Sequence, residues 1–473
     1  MPLNAVLPLV EGLDEDRVAL VDGWRSTRAY ALRRLALRCA ASFQRQGVCP
    51  GDRVLMLVPP GPVFAAAMLG LGWVGGVPVM LEAGLPEPVW RSRVALVQPR
   101  FLLVDWRLRL AWRVPGLARW LPQLPPRLDG IPRLGLPRRA LPPVPPVDRD
   151  PDDEALILFT SGTTSAPRAV VHSHATLPAF LDGVRRVAEG LDLSCYLAEL
   201  PQQIFYALML RATCVLARGQ GERRAKRVAQ ILQNQPITAW FGAPWTWTER
   251  LRQDTPLPRS LRAVILGSAP ATRPFLHKLL DRMPPEVVVR CVYGLTEAGP
   301  VCMADAREKV ARVGPGDWVG RPLDGVTVET PDRRVLVRSA AVARYLEGPP
   351  TRPWLDTGDL GILDDGLWLQ GRQKDMIVRR GVNLYPGLYE PTLVESLPEA
   401  ALVGVWDEHA HDERVVLATT APPSDRLLAS LGEARPDHVL VLDALPRRGR
   451  QQKVDKAAIR ALARQTYHIP GAE

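Results

Sequence analysis

The stretch from Val54 to Leu81 contains no charged residue, and this feature constrains the fold of the chain more than any other. A stretch of this length could span a bilayer. Pro59, Pro60 and Pro62 interrupt it, however, and a helix broken in this way would leave backbone groups unsatisfied in lipid. The better interpretation is a buried unit of strand, helix and strand, at the ranges Val54–Val58, Val63–Trp73 and Val77–Leu81.

The length of the chain indicates more than one domain. Its 473 residues exceed what one ordinary hydrophobic core accommodates. Helical and strand-like runs alternate over residues 1–100 and again from Ala155 to about Val337. The composition becomes charged around Arg372–Gly381, and a final α+β segment follows. The pattern therefore predicts an α/β protein with a separate C-terminal part.

Residues 105–147 differ from the rest of the chain because they are rich in Pro, Arg, Trp and Leu. This composition predicts an irregular surface excursion that ends in a Pro-rich linker. Its Trp and Arg side chains also suit a weak peripheral contact with a membrane surface. The alternative is that the excursion simply packs on the domain, and we favour that alternative.

The charge and the cysteines narrow the functional class. The formal net charge is +10, and the chain has no aromatic-basic recognition motif, which argues against a nucleic-acid partner. The six cysteines form no C-x-x-C pair, so we expect neither structural zinc nor a disulfide framework, and a cytoplasmic location fits. The N-terminus has no basic run and reaches Glu11 early, so no signal peptide is predicted.

The stretch "LFTSGTTSAPRAVVHSH", at Leu158–His174, places glycine and small hydroxyl residues directly behind an apolar strand. Its backbone N–H groups are not shielded by large side chains, and Arg168 adds a guanidinium. Such groups suit phosphate oxygens. The spacing is not that of a Walker loop. Considered alone, such a stretch is more often an ordinary turn. Its assignment as a phosphate-binding loop therefore depends on the other motifs along the chain.

Five further stretches follow the loop in a fixed order. They read "AVILGSAP", "VYGLTEAG", "WLDTGDLGIL", "GRQKDMIVRRGVNLYPGLYE" and "LPRRGRQQKVDK", and begin at Ala263, Val292, Trp354, Gly371 and Leu445. Together with the loop they resemble the motifs of the adenylate-forming superfamily of acyl-CoA synthetases, adenylation domains and luciferases, whose phosphate loop reads T-S-G-T-T-G-x-P-K-G. The resemblance covers almost the whole chain.

The resemblance implies a fold, a division into domains and a reaction. The fold is α/β, with a large N-terminal domain of α/β subdomains and a small β-barrel-like subdomain at 1–374, followed by a small mobile α+β C-terminal domain at 375–473. In the reaction a carboxylate attacks the α-phosphorus of ATP, giving acyl-adenylate and pyrophosphate. A thiol, usually that of coenzyme A, then displaces AMP. The implied cofactors are ATP, Mg²⁺ and coenzyme A as acceptor.

The same resemblance assigns roles around the phosphates. Arg168 stands where the family usually has Lys, and its planar guanidinium can still bind a phosphate. Thr296 would bond the α-phosphate, and Glu297 would hold Mg²⁺, a hard cation that prefers oxygen ligands. A surface carboxylate is the alternative for Glu297. The β- and γ-phosphates would be held by the loop residues Thr160, Ser161, Gly162, Thr163 and Thr164.

The nucleoside would be bound by residues of three other motifs. Tyr293 would stack on adenine, although a core tyrosine is an alternative of similar weight. Asp359 would accept both ribose hydroxyls, and Arg372 would assist there unless it only forms a salt bridge to Asp359 or Asp375. The base would also be lined by Gly267, Ser268, Ala269 and Gly294.

The C-terminal part would supply a mobile cation. Lys453 matches the lysine that crosses to the α-phosphate and bonds the carboxylate substrate, where negative charge accumulates. A solvated tail lysine is the alternative, and Arg448 or Arg450 could take its place. Asp375 matches the hinge about which the small domain rotates between half-reactions. That rotation would bring Gly381 to the thiol tunnel.

The chain departs from the family pattern in several places. Ser165 and Ala169 replace glycines of the phosphate loop, and Val378 stands where many members have Lys. The stretch "LPQQIFYALM", which begins at Leu200, replaces a P-x-x-H-x-x-G segment and leaves no evident histidine. None of these changes removes a charge that the first half-reaction requires.

The sequence constrains the identity of the acid and of the acyl acceptor less than it constrains the nucleotide site. The acid-pocket segment "AWFGAPWTWTERL" suggests an apolar or aryl acid through Trp240, Phe241 and Trp245, and it offers no clear acidic partner for an ammonium group. We expect a fatty or other hydrophobic acid and coenzyme A. Three alternatives stay open: a ligase that loads a separate acyl carrier protein, a β-lactone synthetase of the same superfamily, and a degenerate non-catalytic nucleotide-binding protein.

Overall fold

The structure is a computed structural model. It describes residues 4–81, 87–114, 127–137, 141–159, 168–217, 221–252, 257–348, 354–379, 382–410, 412–448 and 452–470. Within these ranges a few side chains, including that of Trp245, lie outside the description.

The described helices are numbered in chain order. They are α1 (Leu7–Glu11), α2 (Ala29–Arg45), α3 (Pro62–Trp73), α4 (Glu87–Val97), α5 (Trp106–Arg113), α6 (Thr176–Ala188), α7 (Gln203–Met209), α8 (Gly221–Asn234), α9 (Pro244–Arg252), α10 (Arg273–Leu280), α11 (Ala306–Ala311), α12 (Pro386–Ser396), α13 (Asp425–Ser430) and α14 (Lys456–Tyr467).

The strands of the N-terminal part are β1 (Val18–Asp22), β2 (Arg25–Arg28), β3 (Arg53–Leu57), β4 (Val77–Val79), β5 (Phe101–Val104), β6 (Arg133–Leu134), β7 (Glu154–Phe159), β8 (Ala169–Ser173), β9 (Cys195–Ala198), β10 (Thr213–Leu216), β11 (Ala239–Gly242), β12 (Ala263–Leu266), β13 (Val288–Leu295), β14 (Gly299–Asp305), β15 (Asp317–Trp318), β16 (Arg321–Pro322), β17 (Thr327–Glu329), β18 (Arg334–Arg338), β19 (Arg344–Tyr345), β20 (Leu355–Asp364) and β21 (Gly366–Arg372). The remaining strands are β22 (Ile377–Arg379), β23 (Val382–Leu384), β24 (Ala400–Asp407), β25 (Asp412–Thr419), β26 (His438–Val441), β27 (Arg447–Arg448) and β28 (Lys453–Val454).

Three sheets organise the strands before residue 373. A nine-stranded sheet has the order β16-β14-β13-β12-β11-β9-β10-β1-β2, with parallel pairing from β13 through to β1. A seven-stranded sheet has the order β19-β8-β7-β4-β3-β5-β6. A five-stranded antiparallel sheet, β15-β21-β20-β18-β17, forms the small subdomain that we predicted to be barrel-like. Helices cover the parallel sheets, as expected for strands that are apolar on both faces, and the predicted α/β class is confirmed.

The uncharged stretch folds as predicted into β3, α3 and β4. Helix α3 is buried on nearly all sides because it lies between the sheets and packs against α2. Gly70 allows this close approach, since a Cβ there would lie 2.7 Å from the carbonyl oxygen of Ala36. No helix in the described part of the chain is long and apolar enough to cross a membrane.

The start of the Pro- and Arg-rich excursion is ordered as helix α5, so its prediction as wholly irregular was wrong. The Asp105 carboxylate caps the helix by accepting a hydrogen bond from the Arg107 N–H at 2.9 Å. Leu108 and Trp112 pack against the core, and strand β6 then joins the sheet edge beside β5. The amphipathic spacing of "WRLRLAWR" outweighs the irregular composition.

The strands after residue 376 form sheets of their own. Leu402 and Leu417 of the three-stranded sheet β24-β25-β26 face α12, whereas their neighbours Val403 and Val416 face α14. This alternation buries both faces of a small sheet. The predicted domain boundary, between residues 374 and 375, lies in the turn between β21 and β22. The division into two moving domains stays a prediction.

Candidate active site

The candidate nucleotide residues meet at one edge of the nine-stranded sheet. Parallel strands β11, β12 and β13 end side by side, so the segments that follow them share one edge. Gly267 follows β12, Phe241 lies near the end of β11, and Tyr293 lies near the end of β13. In open α/β sheets, ligands bind beyond the carboxyl ends of the strands. Motifs that are far apart in the sequence therefore lie close together in space.

Asp359 is the centre of one cluster at this edge. It is 5% exposed, and its Oδ2 accepts a hydrogen bond from the Tyr293 hydroxyl at 2.7 Å. Its Oδ1 lies 2.9 Å from Nε of Arg372, the last residue of β21. Burial and the neighbouring Asp359 carboxylate raise the pKa of Tyr293 well above its ordinary value. The cluster joins the ribose and adenine candidates of three motifs, and it includes the salt bridge to Asp359 that is the alternative to a ribose role for Arg372.

The backbone beside Tyr293 is closely packed. A Cβ at Gly267 would lie 3.1 Å from Cζ of Phe241 and 3.5 Å from the carbonyl oxygen of Val292. Ser268, the next residue, has φ +70°, which is uncommon for a non-glycine residue. A Cβ at Gly294 would lie 2.5 Å from the carbonyl oxygen of Gly299. The segment that follows β12 lies next to β13, the strand that carries Tyr293 and Gly294. It consists of Gly267, Ser268 and Ala269.

Thr296 and Glu297 lie in the turn between β13 and β14, which other strands hold in place. The carbonyl of Thr296 is 2.9 Å from Nε2 of His172, on β8. The carbonyl of Glu297 accepts from the Ala343 N–H at 2.7 Å, and Glu297 Oε1 accepts from the Tyr345 hydroxyl at 3.1 Å. The turn is thus fixed by contacts from the seven-stranded sheet and from the segment that leads into β19.

Arg168 joins this second cluster through Tyr345. Its guanidinium carbon lies 5.3 Å from the centre of the Tyr345 ring, a cation–π distance. Burial and the Glu297 carboxylate raise the pKa of Tyr345. The exposed Arg168 side chain therefore lies on the ring of a residue that bonds the predicted magnesium ligand. The structure brings Arg168, Thr296 and Glu297 together, as the motifs predict.

Two residues of this cluster, Tyr345 and His172, were not predicted from the sequence. Tyr345 lies in "ARYLEGPP", outside the stretches that we compared with the family. His172 belongs to the histidine pair after the phosphate loop, and burial lowers its pKa to about 4. The histidine pair was the available signal for His172. No signal marked Tyr345, because its role depends on β19 pairing with β8, far away in the sequence.

The described residues suit magnesium only together with a phosphate ligand. Among them, no group of three or more His, Cys, Asp or Glu side chains could hold a metal ion. Glu297 alone supplies a carboxylate at the turn, and Mg²⁺ is typically bound by one or two carboxylates plus substrate phosphates. The donor set therefore fits a magnesium ion carried by ATP.

Lys453 lies in the C-terminal part, in a hairpin of strands β27 and β28. It pairs with Arg448 across the hairpin and is partly buried. The predicted hinge residue Asp375 accepts a hydrogen bond from Arg460 of α14 at 3.2 Å. Burial and the neighbouring Arg372 lower the pKa of Lys374 to about 8. The structure thus links the hinge to the last helix, while the crossing of Lys453 to a phosphate stays a prediction.

The predicted acyl-pocket residues do not share one surface. Trp240 and Phe241 are consecutive on β11, so their side chains point to opposite faces. Trp240 is fully buried, its ring centre is 4.2 Å from that of Trp247, and its Nε1 donates to Glu199 at 2.6 Å. This placement counts against a pocket role for Trp240, whereas Phe241 lies against Gly267.

Several predicted site residues lie outside the described residues, so their roles stay predictions. They are Thr160, Ser161, Gly162, Thr163 and Thr164 of the phosphate loop, Gly381 of the thiol tunnel, and the side chain of Trp245.

Comparisons with known proteins identify the family of the chain. Residues 12–336 match the family described as AMP-binding enzyme. The chain is 27% identical to the long-chain-fatty-acid–CoA ligase FadD13 of Mycobacterium tuberculosis, over 87% of this chain and 88% of that protein. It is also 27% identical to 4-coumarate–CoA ligase 5 of Oryza sativa subsp. japonica, over 83% of this chain and 80% of that protein.

Solved structures agree as well. The amide bond synthetase McbA from Marinactinospora thermotolerans superposes with a TM-score of 0.81 at 25% identity, over 97% of this chain and 99% of that one. A match over residues 12–336 covers more than half of the chain and includes Gly267, Tyr293 and the turn that carries Glu297. The chain belongs to the AMP-binding enzyme family of adenylate-forming ligases.

Proposed function

We propose that this protein activates a fatty or other hydrophobic carboxylic acid with ATP and transfers the acyl group to coenzyme A. In the first half-reaction a carboxylate oxygen attacks the α-phosphorus, and the bond from that phosphorus to the oxygen bridging to the β-phosphate breaks. Acyl-adenylate forms and pyrophosphate leaves. In the second, the sulfur attacks the acyl carbonyl carbon, AMP leaves and the thiol proton passes to solvent.

The Asp359 cluster is the observation that carries the proposal. A buried carboxylate with two oxygens suits two adjacent ribose hydroxyls, and Tyr293 and Arg372 hold each of those oxygens in place. The Tyr293 ring then offers its face to adenine beside Gly267, Ser268, Ala269 and Gly294. Because the acceptor oxygens are oriented before the nucleotide arrives, binding costs little rearrangement.

The turn between β13 and β14 faces the phosphates in this proposal. Thr296 donates its hydroxyl to the α-phosphate, and Glu297 holds Mg²⁺, which neutralises phosphate charge when bound. Arg168 provides a fixed positive charge beside them, with the loop residues Thr160, Ser161, Gly162, Thr163 and Thr164 around the β- and γ-phosphates. Preorganised positive charge of this kind is the main source of catalysis in phosphoryl and acyl transfer.

The C-terminal residues act in turn. Lys453 brings its ammonium to the developing negative charge between the acid and the α-phosphate. Rotation about Asp375, in a domain that begins at residue 375, then withdraws Lys453 and brings Gly381 to the thiol path. A salt bridge of Asp375 with Arg460 that is partly exposed contributes little stability, so the hinge can break it at small cost.

A hydrophobic acid is supported by the surroundings of Phe241. The Glu199 carboxylate accepts hydrogen bonds from Trp240 Nε1 at 2.6 Å and from the Thr246 hydroxyl at 3.2 Å. Each of its oxygens thus has one internal donor, and the contact with Trp240 places Glu199 on the buried face of β11, opposite Phe241. An apolar or aryl acid needs no carboxylate partner.

The test is pyrophosphate release with ATP and a panel of fatty, aryl and amino acids. The active acids are then repeated with coenzyme A, with an acyl carrier protein and with a simple amine, and the products are identified by mass. We expect thioester from a hydrophobic acid. Adenylate without thioester from any acid would rule out the coenzyme A ligase, and a lactone from a β-hydroxy acid would identify the lactone synthetase. Nucleotide binding without pyrophosphate would identify a non-catalytic protein.

We also propose a weak peripheral contact with an anionic membrane surface, made by a cytoplasmic enzyme through helix α5. One face of α5 anchors it to the core, and the other exposes Trp106 (64%) and Leu110 (43%), with Val114 (43%) exposed just beyond the helix. Arg107 and Arg113 flank this stripe and complement anionic headgroups.

Vesicle co-sedimentation tests the contact. We expect binding to vesicles with anionic lipid, loss of binding in high salt, and loss of binding in a Trp106→Ala/Leu110→Ser variant. The control is Trp24→Ser, since Trp24 is 98% exposed but lies alone between β1 and β2. Equal binding by all three proteins, or none by the wild type, would contradict the proposal.

A further inference from the structure

The β13–β14 turn is held by a strand that takes no part in the sheet of β13. Strand β19 pairs antiparallel with β8, with Tyr345 opposite Val170. Immediately before it, the Ala343 N–H donates to the backbone carbonyl of Glu297 at 2.7 Å. One short segment therefore fixes both the backbone and, through Tyr345, the carboxylate of Glu297.

The position of the Tyr345 hydroxyl is itself well determined. Its neighbour Arg344 donates to Glu154 at 2.6 Å, and Glu154 also accepts two hydrogen bonds from Arg53, both at 2.8 Å. These ion pairs are largely buried and anchor β19 to the edge of the sheet. The Leu346 N–H adds a backbone hydrogen bond to Ala169 at 2.9 Å. Tyr345 therefore presents its hydroxyl from a rigid strand.

We propose that Tyr345 is a positioning residue that orients Glu297 toward magnesium-bound ATP and keeps Arg168 beside it. The inference rests on the proposed function, because it takes Glu297 as the magnesium ligand. A free glutamate side chain populates several rotamers, and a hydrogen bond from a fixed hydroxyl selects one of them. The Tyr345 ring meanwhile supports the Arg168 guanidinium at 5.3 Å. One side chain, that of Tyr345, thus positions both the Glu297 carboxylate and the Arg168 guanidinium.

The competing explanation is that Tyr345 only packs the edge of the sheet. Tyr345→Phe separates the two, because it removes the hydroxyl, with its hydrogen bonds to Glu297 and from Arg168, and keeps the ring and the strand. The matched control is Tyr467→Phe. The Tyr467 hydroxyl also makes one hydrogen bond, to the Val439 carbonyl at 2.6 Å, but in the C-terminal sheet, far along the chain from the turn.

The experiment is calorimetric titration of ATP into the full-length protein over a series of Mg²⁺ concentrations, together with thermal unfolding. We expect Tyr345→Phe to raise the Mg²⁺ concentration at half-maximal ATP binding by about tenfold, as for loss of a hydrogen bond to a charged group. Its Tm should stay within about 2 °C of the wild type. Tyr467→Phe should leave the Mg²⁺ midpoint unchanged.

A double-mutant cycle tests whether the effect of Tyr345→Phe depends on the Glu297 carboxylate. In a Glu297→Gln background, Tyr345→Phe should no longer move the midpoint, because the carboxylate that it orients is gone. A midpoint for Tyr345→Phe equal to that of Tyr467→Phe, or an undiminished effect without the Glu297 carboxylate, would overturn the role of Tyr345 alone. Absence of Mg²⁺-dependent ATP binding in the wild type would instead overturn the proposed function and the positioning role together.

Discussion

The β13–β14 turn and the C-terminal hairpin carry the two opposite charges of the proposed reaction, and they are held in different ways. The turn with Glu297 receives hydrogen bonds from His172, Ala343 and Tyr345, which belong to other parts of the large N-terminal region. The hairpin with Lys453 consists of two-residue strands, and the charged residues around it form partly exposed ion pairs.

This difference suits the different roles that we propose for the two regions in the two half-reactions. Groups that bind ATP in both half-reactions gain from being fixed before the substrate arrives. A cation required in only one half-reaction gains from a support that can leave, and partly exposed ion pairs contribute only about 0–1 kcal/mol each. The contrast between the rigid turn and the loosely held hairpin can therefore be tested at each side separately.

The largest effect is expected for Lys453→Ala, which removes the ammonium group that we propose to reach the α-phosphate. Adenylate formation should fall about 10²- to 10³-fold, the usual cost of losing one contact to developing negative charge. Thiolysis of supplied adenylate should be retained. The control is Lys456→Ala, since the Lys456 Nζ is already paired with Glu390 at 2.7 Å. Equal losses in both half-reactions would contradict the role of Lys453.

The next largest effect is expected from acid. Protonation of His174, on the segment after β8, should lower the free energy of unfolding. Its Nδ1 accepts from the Ala5 N–H at 3.0 Å, and burial lowers its pKa from 6.5 to about 4. Since the folded protein binds this proton less readily than the unfolded chain, stability should fall as the pH drops from about 6.5 toward 4. The loss is about 2–3 kcal/mol.

Urea unfolding between pH 4 and pH 7 measures this loss, and His174→Gln provides the comparison. The variant should be less stable at neutral pH and should show a weaker dependence on pH. A wild-type curve parallel to that of the variant would show that the proton of His174 does not contribute.

A smaller effect is expected at the ribose site for Asp359→Asn. The amide keeps one acceptor but loses the charge, so the Kd for ATP should rise about tenfold, as for one hydrogen bond to a charged group. Asp356→Asn is the control on the same strand, because Asp356 pairs with Arg334 at 2.6 Å near the surface. Calorimetry measures both constants. Unchanged ATP affinity in Asp359→Asn would mean that the ribose assignment is wrong.

The smallest effect is expected at the hinge. Arg460→Ala removes the contacts to Asp375 and to the Gly404 carbonyl, both at 3.2 Å. The ratio of the two half-reaction rates should change by no more than about fivefold, the effect of roughly 1 kcal/mol. Arg464→Ala, one turn along α14, should leave the ratio unchanged. A loss of either half-reaction by a larger factor would show that the hinge contact is not a weak one.

The local parts of this structure were predictable from the sequence. The uncharged stretch folded as expected because apolar runs bounded by Pro and Gly leave few alternatives to a buried strand, helix and strand. The clustering of Tyr293, Asp359 and Arg372 agreed with their assignment to one nucleotide site. Motif order was enough for these residues, since each lies on a regular strand.

Other parts depended on register and on distant pairing. Trp240 and Phe241 were assigned to one pocket, although consecutive residues of a strand face opposite sides. Helix α5 formed in a stretch whose composition suggested irregular chain, because its amphipathic spacing allows it to pack. The contact of Tyr345 with Glu297 follows from β19 pairing with β8, and no local pattern predicts which strands meet at a sheet edge.

The pairing of β19 with β8 also has a consequence for synthesis on the ribosome. Strand β8 leaves the exit tunnel early, yet its outer edge has no strand partner until Arg344 and Tyr345 emerge. Until then the edge backbone groups of Val170 and Val171 lie open to other chains, as at any unpaired sheet edge. The nascent protein therefore exposes the outer edge of β8 until residues 344–345 have been synthesised and have paired with it.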